Sequence, residues 1–455
     1  MKRRSFLISA AGIGVLRAAD PWAEAAAILG RIRPPVFPKR DFDIAKFGAS
    51  GDGVKDSTEA IRRAIAAASQ AGGGRVVVPA GRYLTGAIQL RSNVNLHVGA
   101  GATLLFDRDP RKYLPAVFTR WEGVECVNYS AFLYAWGQEN IALTGEGTLD
   151  GQADSRHWWP WKGRKEYGWK LGDPSQEKAR DRLIKMGEDG VAPGKRVFGE
   201  GSYLRPNFVQ PYRCKNVLIE GVTILNSPMW ELHPTLCRNV AVRGVKVSSH
   251  GPNNDGCDPE SCADVLIEDC VFDTGDDCIA LKSGLNNDGR RVDVPIENVV
   301  IRGCQMKDGH GGVTIGSEIS GSARNIFAEN CRMDSPNLDR VLRLKTNSVR
   351  GGVIENVHLR NIAVGQVADA VVQVDFHYEE GNSGTFKPVV PNIGLRNVTS
   401  KKSKYALYLR GYEDAPIRDV RLEDCTFEGV QKPDVLEHVQ GLTRRNVRVN
   451  GTLAS

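Results

Sequence analysis

Four short motifs in this sequence carry side chains suited to acid–base chemistry. They are Gly251-Pro-Asn253-Asn254-Asp255-Gly256, Gly275-Asp276-Asp277-Cys278, Gly309-His310-Gly311 and Arg343-Leu344-Lys345. Clustered aspartates repel one another, so the pKa of at least one rises and it can hold a proton while another stays ionised. One such group can protonate a leaving oxygen while another activates water, with the carboxyls about 6.5–9.5 Å apart when a glycosidic bond is hydrolysed with inversion.

The fourth motif supplies cations. Arg343 and Lys345 are two residues apart, so on a strand they share a face. A guanidinium beside an ammonium suits a substrate that carries carboxylates, whereas a neutral glucan does not require this pair. Lys282, five residues after Asp277, is expected to join them. The alternative for Lys282 is a solvent-facing strand lysine.

Gly275 bears on how two adjacent aspartates can act together. On an ideal strand, Asp276 and Asp277 would point to opposite faces. A preceding glycine indicates a bend or bulge that turns both into one cleft.

A nine-residue repeat predicts the elements that position these motifs. Asn216-Val-Leu-Ile-Glu-Gly-Val-Thr-Ile returns at Asn239, Asp264, Asn298, Asn325, Asn356, Asn392 and Asp419, at intervals of 23, 25, 34, 27, 31, 36 and 27 residues. A fixed core with a variable period indicates a solenoid with loop insertions. The intervals of 21 residues from Asp255 to Asp276, and of 33 from His310 to Arg343, each approximate one coil plus a loop. We therefore expect the four motifs side by side on consecutive coils.

Apolar and polar residues alternate in two β-rich runs within each repeat, which predicts two short strands that meet at a bend. Stacked coils bury one apolar face, which predicts an all-β, right-handed parallel β-helix with asparagine ladders near the bends. The matching Cys270, Cys304, Cys331 and Cys425 are expected to stack inside as thiols. Cys257 and Cys262 could instead pair across a loop. No CxxC pair accompanies a histidine cluster, so a structural zinc site is not expected.

The two ends of the solenoid follow from the same pattern. The repeat reaches back to Asn93 and Asn140, which places the β-helix at residues 75–450. Residues 41–74 form a cap region, in which Asp56-Ser-Thr-Glu59 resembles a capping box and precedes apolar residues at helical spacing. A helix there would cover the open end of the coil.

Residues 152–210 interrupt the repeat. Four of the eight tryptophans, Trp158, Trp159, Trp161 and Trp169, fall within twelve residues among many basic ones. Exposed indoles, with Trp158 and Trp159 as the candidates, could stack on sugar rings, and the insertion could close one end of a cleft. The alternative is a loop that packs on the solenoid through its aromatic residues.

The net charge limits the kinds of partner that the protein can bind, and the N-terminal segment indicates where it is located. The 455 residues carry a net charge of +6, which does not favour a nucleic-acid partner and leaves a local basic cleft for an anionic ligand. Residues 1–27 begin Lys2-Arg3-Arg4-Ser5-Phe6-Leu7 and continue through a short apolar run. They resemble a bacterial twin-arginine export signal, which predicts a periplasmic or extracellular protein.

The order of the four motifs is similar to that of the polygalacturonases, family 28 of the glycoside hydrolases. The likeness extends to Gly86-Ala-Ile-Gln-Leu-Arg-Ser-Asn-Val-Asn-Leu and Pro228-Met-Trp230, and covers roughly residues 41–450. The sequence departs from the family at Asn254, where many members have threonine, and at Leu344, commonly isoleucine. The resemblance implies a parallel β-helix that hydrolyses α-1,4-galacturonosyl bonds of pectin with inversion and without metal or cofactor.

The resemblance also implies residue roles. Asp276 is the general acid, Asp255 and Asp277 activate water, and His310 supports protonation or orientation of the acid. Arg343 and Lys345 contact the substrate carboxylate, and Asn253 of the Asn-x-Asp motif lies among the substrate-binding residues.

Other functions fit the same scaffold. Exo-action is favoured because the insertion could close the cleft, and a rhamnogalacturonan hydrolase would share the fold and the carboxylates. A pectate lyase would need a calcium cluster and a strong base. A non-catalytic carbohydrate-binding solenoid would not require mutually repelling aspartates.

Overall fold

A computed structural model describes residues 20–454, in which short parallel strands stack into successive coils. The helices are α1 (Pro21–Arg31), α2 (Thr58–Gln70), α3 (Glu177–Glu188) and α4 (Asn286–Val292). The strands, in chain order, are β1 (Asp41–Asp43), β2 (Asp52–Asp56), β3 (Gly74–Val78), β4 (Gly81–Thr85), β5 (Ile88–Gln89), β6 (Val94–Val98), β7 (Ala102–Phe106), β8 (Val117–Trp121), β9 (Val124–Asn128), β10 (Leu133–Trp136), β11 (Glu139–Gly145), β12 (Thr148–Asp150), β13 (Val209–Tyr212), β14 (Lys215–Glu220), β15 (Thr223–Leu225), β16 (Arg238–Arg243), β17 (Lys246–Ser249), β18 (Ala263–Glu268), β19 (Val271–Thr274), β20 (Ile279–Leu281), β21 (Ile296–Arg302), β22 (Gln305–Met306), β23 (Val313–Ile315), β24 (Ala323–Glu329), β25 (Arg332–Met333), β26 (Arg340–Lys345), β27 (Ile354–Val364), β28 (Ala370–Asp375), β29 (Pro391–Ser400), β30 (Tyr405–Arg410), β31 (Ile417–Glu423), β32 (Thr426–Phe427), β33 (Val435–Glu437), β34 (Val439–Gln440), β35 (Thr443–Arg445), β36 (Arg448–Val449) and β37 (Thr452–Leu453).

Strand register confirms the parallel β-helix. The repeat strands β14, β16 and β18 pair in parallel, with Val217 opposite Val240 and Val240 opposite Val265. These side chains are 3% exposed or less, so equivalent residues of successive coils stack in one continuous core. A second face consists of the short strands β20, β23, β26, β28, β30 and β33, and it carries the basic motif. We call it the cleft face.

The β-helix begins earlier than the sequence predicted. β1 pairs with β3 and β2 with β4, so the first coil starts at Asp41 and not near Arg75. The predicted helix is α2, which lies between β2 and β3 and buries its apolar side against the end of the core. Its start is capped by Asp56, whose Oδ1 accepts from the backbone N–H of Thr58 at 2.8 Å, while Ser57 makes no side-chain cap.

An asparagine ladder marks one bend of the coils, as predicted. The first residue of each repeat has a left-handed φ, between 54° and 64° from Asn93 to Asp419, a conformation that asparagine and aspartate tolerate. Side-chain amides bond along the column, for example Asn325 Nδ2 to Asn298 Oδ1 at 3.0 Å and Asn356 Nδ2 to Asn325 Oδ1 at 3.1 Å. The repeated asparagine therefore fixes both the bend and the stacking.

All ten cysteines are buried free thiols. Cys257 and Cys262 do not form a disulfide, so the thiol alternative of the sequence analysis holds. Cys270, Cys304 and Cys331 follow matching strands on three consecutive coils, as expected. Cys425 occupies the same column, but Ile362 and Val398 take the two intervening positions.

Helix α1 covers an apolar column on the outside of the coils. The central residues of the repeat strands face outward in register, and the column comprises Ala142, Leu218, Ala241, Leu266, Val300 and Phe327. Trp22, Ala25 and Ile28 of α1 pack on this column. The twin-arginine motif lies outside the described residues, but residues 20–27 of the predicted export segment belong to this packed structure. Among residues 20–454, no helix is long and apolar enough to cross a membrane.

Two excursions leave the coils on the cleft side. The predicted insertion runs between β12 and β13 and contains α3. The second excursion, which the sequence analysis did not identify, is the antiparallel hairpin β8–β9. Its turn residues Glu122 and Gly123 have φ values of 41° and 77°, and a two-residue turn with two positive φ angles suits the twist of a hairpin. The Glu-Gly pair between two alternating runs was the available signal.

Candidate active site

The four predicted motifs meet on consecutive coils. The N–H of Gly256 donates to the carbonyl of Asp277 at 2.9 Å, and the N–H of His310 donates to the carbonyl of Asp276 at 3.0 Å. Arg343 pairs with Thr314 on the strand β23 of the neighbouring coil. Residues as far apart in the chain as Asp255 and Lys345 therefore form one cluster at the cleft face.

Asp276 and Asp277 lie in the bend between β19 and β20, outside any strand. Strand alternation therefore does not force them apart, which agrees with the bend expected at Gly275. A β-carbon on Gly275 would lie 2.6 Å from the Gly251 carbonyl oxygen, and one on Gly311 would lie 3.0 Å from Asp277 Oδ1. The two glycines thus let the coils approach closely around the carboxylates.

The three aspartates are closer together than the sequence analysis expected. One oxygen from each of Asp255, Asp276 and Asp277 lies within 4.8 Å of the other two, below the separation of about 6.5–9.5 Å typical of inverting glycosidases. One water molecule can bridge such oxygens, since two hydrogen bonds of about 2.8 Å span a larger distance. The cluster can therefore hold a single attacking water between carboxylates.

Asp277 is the firmly ionised member. Its side chain is fully buried, and it bonds to Lys345 Nζ at 2.7 Å, Arg343 Nη1 at 3.3 Å and Thr314 Oγ1 at 2.8 Å. Burial raises the pKa of Asp277, but Lys345 and Arg343 outweigh it and hold that pKa well below its usual range. Arg343 and Lys345 thus contact a carboxylate of the protein before any substrate binds.

Asp255 is the member that favours a proton. Burial first, and the charge of Asp276 second, raise its pKa well above the ordinary value. Asp255 Oδ1 has no hydrogen-bond partner within the described chain, which leaves it free to bond a water molecule.

Lys282 does not join the carboxylate-binding pair, contrary to the sequence-based expectation. It is 2% exposed, and its Nζ lies 3.1 Å from Glu318 Oε2, 3.6 Å from Asp255 Oδ2 and 4.3 Å from the Trp230 ring centroid. A lysine surrounded in this way is neither solvent-facing nor free to bind substrate. Its charge behind Asp255 opposes, without overcoming, the rise in the pKa of that carboxyl.

Asp276 is the most exposed of the three carboxylates, with a side-chain exposure of 21% against 4% for Asp255 and 0% for Asp277. His310 Nδ1 lies 2.9 Å from its Oδ1. Burial raises the pKa of Asp276, but the hydrogen bond and charge of His310 lower it overall. The same bond raises the pKa of His310 to about 9, so its imidazolium persists well above neutral pH.

Tyr378 is a cleft residue that the sequence analysis missed. Its ring centroid lies 5.6 Å from Lys345 Nζ and 5.9 Å from the Arg343 guanidinium carbon. No motif distinguishes this tyrosine in the sequence, because only the packing of β26 beside the turn after β28 brings it to the basic pair.

The tryptophan-rich segment has a mixed role. Trp158 is 2% exposed and packs against Phe132 and Tyr113, so it cannot stack on a sugar and the packing alternative is correct for it. Trp159 is partly buried and donates its Nε1–H to the carbonyl of Ser227 at 2.9 Å. The segment reaches the predicted Asn253, whose Oδ1 accepts from Lys162 Nζ and from Arg205 Nη2, each at 2.8 Å.

The hairpin β8–β9 packs against the coils that carry Asp255 and Asp276. Arg120 forms a fully buried ion pair with Glu260 at 3.2 Å, and Glu260 also bonds to His233 at 2.8 Å. At the turn, the carbonyl of Gly123 accepts from the N–H of Leu285 at 3.1 Å. Glu122 Oε2 accepts from Arg180 Nε of α3 at 2.5 Å, which joins the two excursions. We call residues 117–128 together with 159–188 the end wall.

Two groups of described residues have a geometry that could hold a metal ion. One is the aspartate cluster itself, and the other consists of His250, Asp273 and Asp308 on its rim. Lys345 and Arg343 already neutralise Asp277 in the first group. In the second, His250 Nε2 bonds to Asp273 Oδ1 at 3.0 Å.

Comparison with known families gives two matches. The profile described as glycosyl hydrolases family 28 matches residues 196–446, which include all four motifs. The profile described as rhamnogalacturonase A/epimerase, pectate lyase-like, matches residues 42–105, the first coils.

Individual proteins agree with the first match. The crystal structure of a hyperthermoactive exopolygalacturonase from Thermotoga maritima superposes with a TM-score of 0.92 at 46% identity, covering 95% of this chain and 96% of the other. A probable polygalacturonase from Vitis vinifera is 27% identical over 84% of this chain and 73% of its own length. An exo-poly-alpha-D-galacturonosidase from Dickeya chrysanthemi is 28% identical over 79% of this chain, which spans 62% of its length.

Proposed function

The chain belongs to glycosyl hydrolases family 28, and we propose that it is a polygalacturonase that releases galacturonate units from the ends of pectic chains. One observation supports the hydrolase function. Three aspartates have carboxylate oxygens within 4.8 Å of one another, and a histidine and two cations surround them. The end wall supports the exo mode, because a groove closed on one side accepts chain ends.

We assign the acid role to Asp276. It is the most exposed carboxylate of the cluster and the one that bonds to His310. Protonated Asp276 donates to the glycosidic oxygen of the leaving unit, and the imidazolium of His310 then stabilises the carboxylate that results.

Water attacks from between Asp255 and Asp277. Asp255 accepts the proton that the water loses, since its proton affinity is the higher of the two, while ionised Asp277 orients the water. At the end of this step Asp255 is protonated and Asp276 ionised, which matches the pKa directions of the empty site. Transfer of that proton from Asp255 to Asp276, over less than 4.8 Å, restores the reactive pair.

The basic pair selects the substrate. Arg343 and Lys345, together with Tyr378, present a polar cationic surface beside the acid, which suits the carboxylate carried by each galacturonate unit. A neutral polysaccharide offers no partner for these charges.

Product analysis tests the proposal. On long polygalacturonate, the enzyme should release monosaccharide first, so viscosity should fall slowly relative to the reducing sugar formed. A rapid fall in viscosity with oligomers as the first products would contradict the exo mode. The anomeric configuration of the first product, followed by NMR, tests inversion separately.

A second candidate is a rhamnogalacturonan hydrolase, favoured by the match of residues 42–105. Alternating rhamnogalacturonan should be cleaved much more slowly than polygalacturonate if the first proposal is correct. Unsaturated products that disappear with a chelator would instead indicate a pectate lyase. Export to the periplasm or the cell exterior remains our prediction from residues 1–27, to be tested by cell fractionation.

A further inference from the structure

The end wall brings cations to the cleft that the proposed mechanism does not use. Lys162 comes from the tryptophan-rich segment and Arg180 from α3. Neither belongs to the coils, and neither contacts Asp255, Asp276 or Asp277 directly within the described chain. They therefore stand apart from Arg343 and Lys345.

Lys162 has unused hydrogen-bonding capacity. Its Nζ donates to Asn253 Oδ1 at 2.8 Å and has no second partner among residues 20–454. The same Asn253 oxygen already accepts from Arg205 at 2.8 Å, so one neutral oxygen serves two cations. An ammonium has three donors, and a partly buried one with a single neutral acceptor is poorly compensated.

Arg180 is compensated on one side only. Its Nε bonds to Glu122 at 2.5 Å, and in the described part of the chain its two terminal nitrogens have no partner. The side chain keeps 37% exposure, so these nitrogens can reach a ligand. Lys162 and Arg180 therefore place two cations with unused donors on the end wall.

Lys162 lies close to the reacting groups. Asn253 stands two residues before Asp255, and the next residue, Asn254, accepts from the N–H of Asp276 at 3.2 Å. Burial lowers the pKa of Lys162, while Glu122 and Asp276 oppose that effect, so Lys162 lies within the electrostatic range of the proposed acid. A sugar unit that extends from Asp276 towards the end wall would meet Lys162.

We propose that Lys162, with Arg180 beside it, binds the carboxylate of the terminal galacturonate unit that the enzyme releases. The proposal rests on the exo-polygalacturonase function proposed above and adds a second carboxylate subsite, distinct from Arg343 and Lys345. The carboxylate of an anionic terminal unit supplies the negative charge and the hydrogen-bond acceptors that Lys162 and Arg180 lack. A terminal unit with a neutral hydroxymethyl group leaves the lysine unpaired.

The test compares two galacturonate trimers that differ only in the released terminal unit, galacturonate in one and galactose in the other. In the wild-type enzyme, kcat/KM should be about tenfold to hundredfold higher for the fully charged trimer, the usual worth of a charged hydrogen bond. In Lys162→Met, kcat/KM for the charged trimer should fall to near that of the neutral-ended one. In Arg180→Gln, the ratio of kcat/KM for the charged trimer to that for the neutral-ended trimer should be smaller than in the wild-type enzyme but still above one.

Lys165→Met is the matched control, because Lys165 is an exposed lysine of the same segment, three residues away. This variant should keep the wild-type preference. The ratio of the two substrates does not depend on the folded fraction, so a less stable variant still gives a decisive result.

Two outcomes would overturn the subsite. One is a wild-type enzyme that does not discriminate between the trimers, and the other is an equal loss on both trimers in Lys162→Met, which would make the lysine structural. Failure of the exo function is detected separately, since wild-type enzyme would then release oligomers from polygalacturonate. Monosaccharide release without discrimination would contradict the subsite alone.

Discussion

Individual contacts determine which groups of the site hold protons. The groups concerned are Asp276, His310 and Asp255. His310 Nδ1 bonds to Asp276 at 2.9 Å, whereas Asp255 is buried beside the charge of Asp276 and its cation neighbour, Lys282, lies farther away at 3.6 Å. The contact with His310 makes Asp276 a strong acid once protonated, and burial beside the charge of Asp276 makes Asp255 a good proton acceptor. Roles thus diverge among three identical side chains because their neighbours differ.

Replacement of the acid gives the first prediction. Asp276→Asn keeps the shape of the side chain and removes the proton, so kcat should fall by roughly two to four orders of magnitude with little change in KM. Asp273→Asn, three residues earlier on the rim of the cluster, is the control and should retain most of the activity. Near-wild-type turnover in Asp276→Asn would exclude the acid role.

The second prediction concerns pH. The pKa of His310 is raised to about 9, so its imidazolium stabilises ionised Asp276 below that pH and loses this effect above it. The wild-type kcat should therefore decline as pH rises through about 9. His310→Gln should be slower at neutral pH and should lack that decline.

His250→Gln is the matched control for the pH profile, since His250 bonds to Asp273 and not to the acid. It should preserve the wild-type decline near pH 9. If kcat of His310→Gln still declined near pH 9, the group that titrates there would not be His310.

At the scale of the element, α1 determines how the outside of the coils is protected. Leu218, Leu266 and Phe327 face outward on successive coils and are covered by the helix. Trp22 packs edge-on against Phe327 and lies under the guanidinium of Arg360 at 3.9 Å. A solenoid strand normally exposes polar residues at such positions, so the helix and the apolar column require each other.

Truncation of α1 is the third prediction. Removal of residues up to Arg31 should lower the unfolding temperature and increase the binding of a hydrophobic dye, because the apolar column becomes exposed. Truncation before Asp20 should leave both unchanged. The mass of the exported protein should accordingly place any cleavage before Asp20, and equal stability of the two truncations would contradict the role of α1.

At the scale of the whole molecule, segments far apart in the chain form the end wall. Glu122 of the hairpin meets Arg180 of α3, and Arg120 meets Glu260 of the loop beside Asp255. The hairpin is thus fixed to the coil of Asp255 through the buried Arg120–Glu260 pair, and removing one partner of a buried pair costs much stability. We expect the shape of this wall to determine which segments of a substrate chain enter the cleft.

Shortening the hairpin is the fourth prediction. Arg120 and Glu125 face each other across β8 and β9, so residues 121–124 can be replaced by a two-residue Asn-Gly turn that keeps the Arg120–Glu260 pair. The opened groove should admit internal chain segments. Viscosity of polygalacturonate should then fall faster for the same reducing sugar.

Glu122→Asn separates the length of the hairpin from its ion pair, because it removes only the bond to Arg180, leaves the hairpin at full length and places an asparagine that suits the positive φ of the turn. It should still release mainly monosaccharide. An unchanged product pattern in the shortened variant would show that the hairpin does not close the cleft.

The sequence by itself determined the features that repeat locally. The period of Asn216, Asn239 and Asp264 predicted the coils and the asparagine ladder, because a strand and its bend are encoded within nine residues. The spacing of the four motifs then predicted their meeting, since stacking of coils converts a sequence interval into adjacency.

Only the tertiary structure decided what depends on contacts between distant segments. The burial of Trp158 and Lys282, the close spacing of the aspartates and the docking of α1 all arise where one segment packs on another. Residue type does not reveal such contacts. A lysine at the position of Lys282 would be solvent-exposed on an uncovered strand, but in this fold Lys282 is buried beside Glu318 and Trp230. The repeat therefore predicted the scaffold, and long-range packing determined the shape and the charge of the cleft.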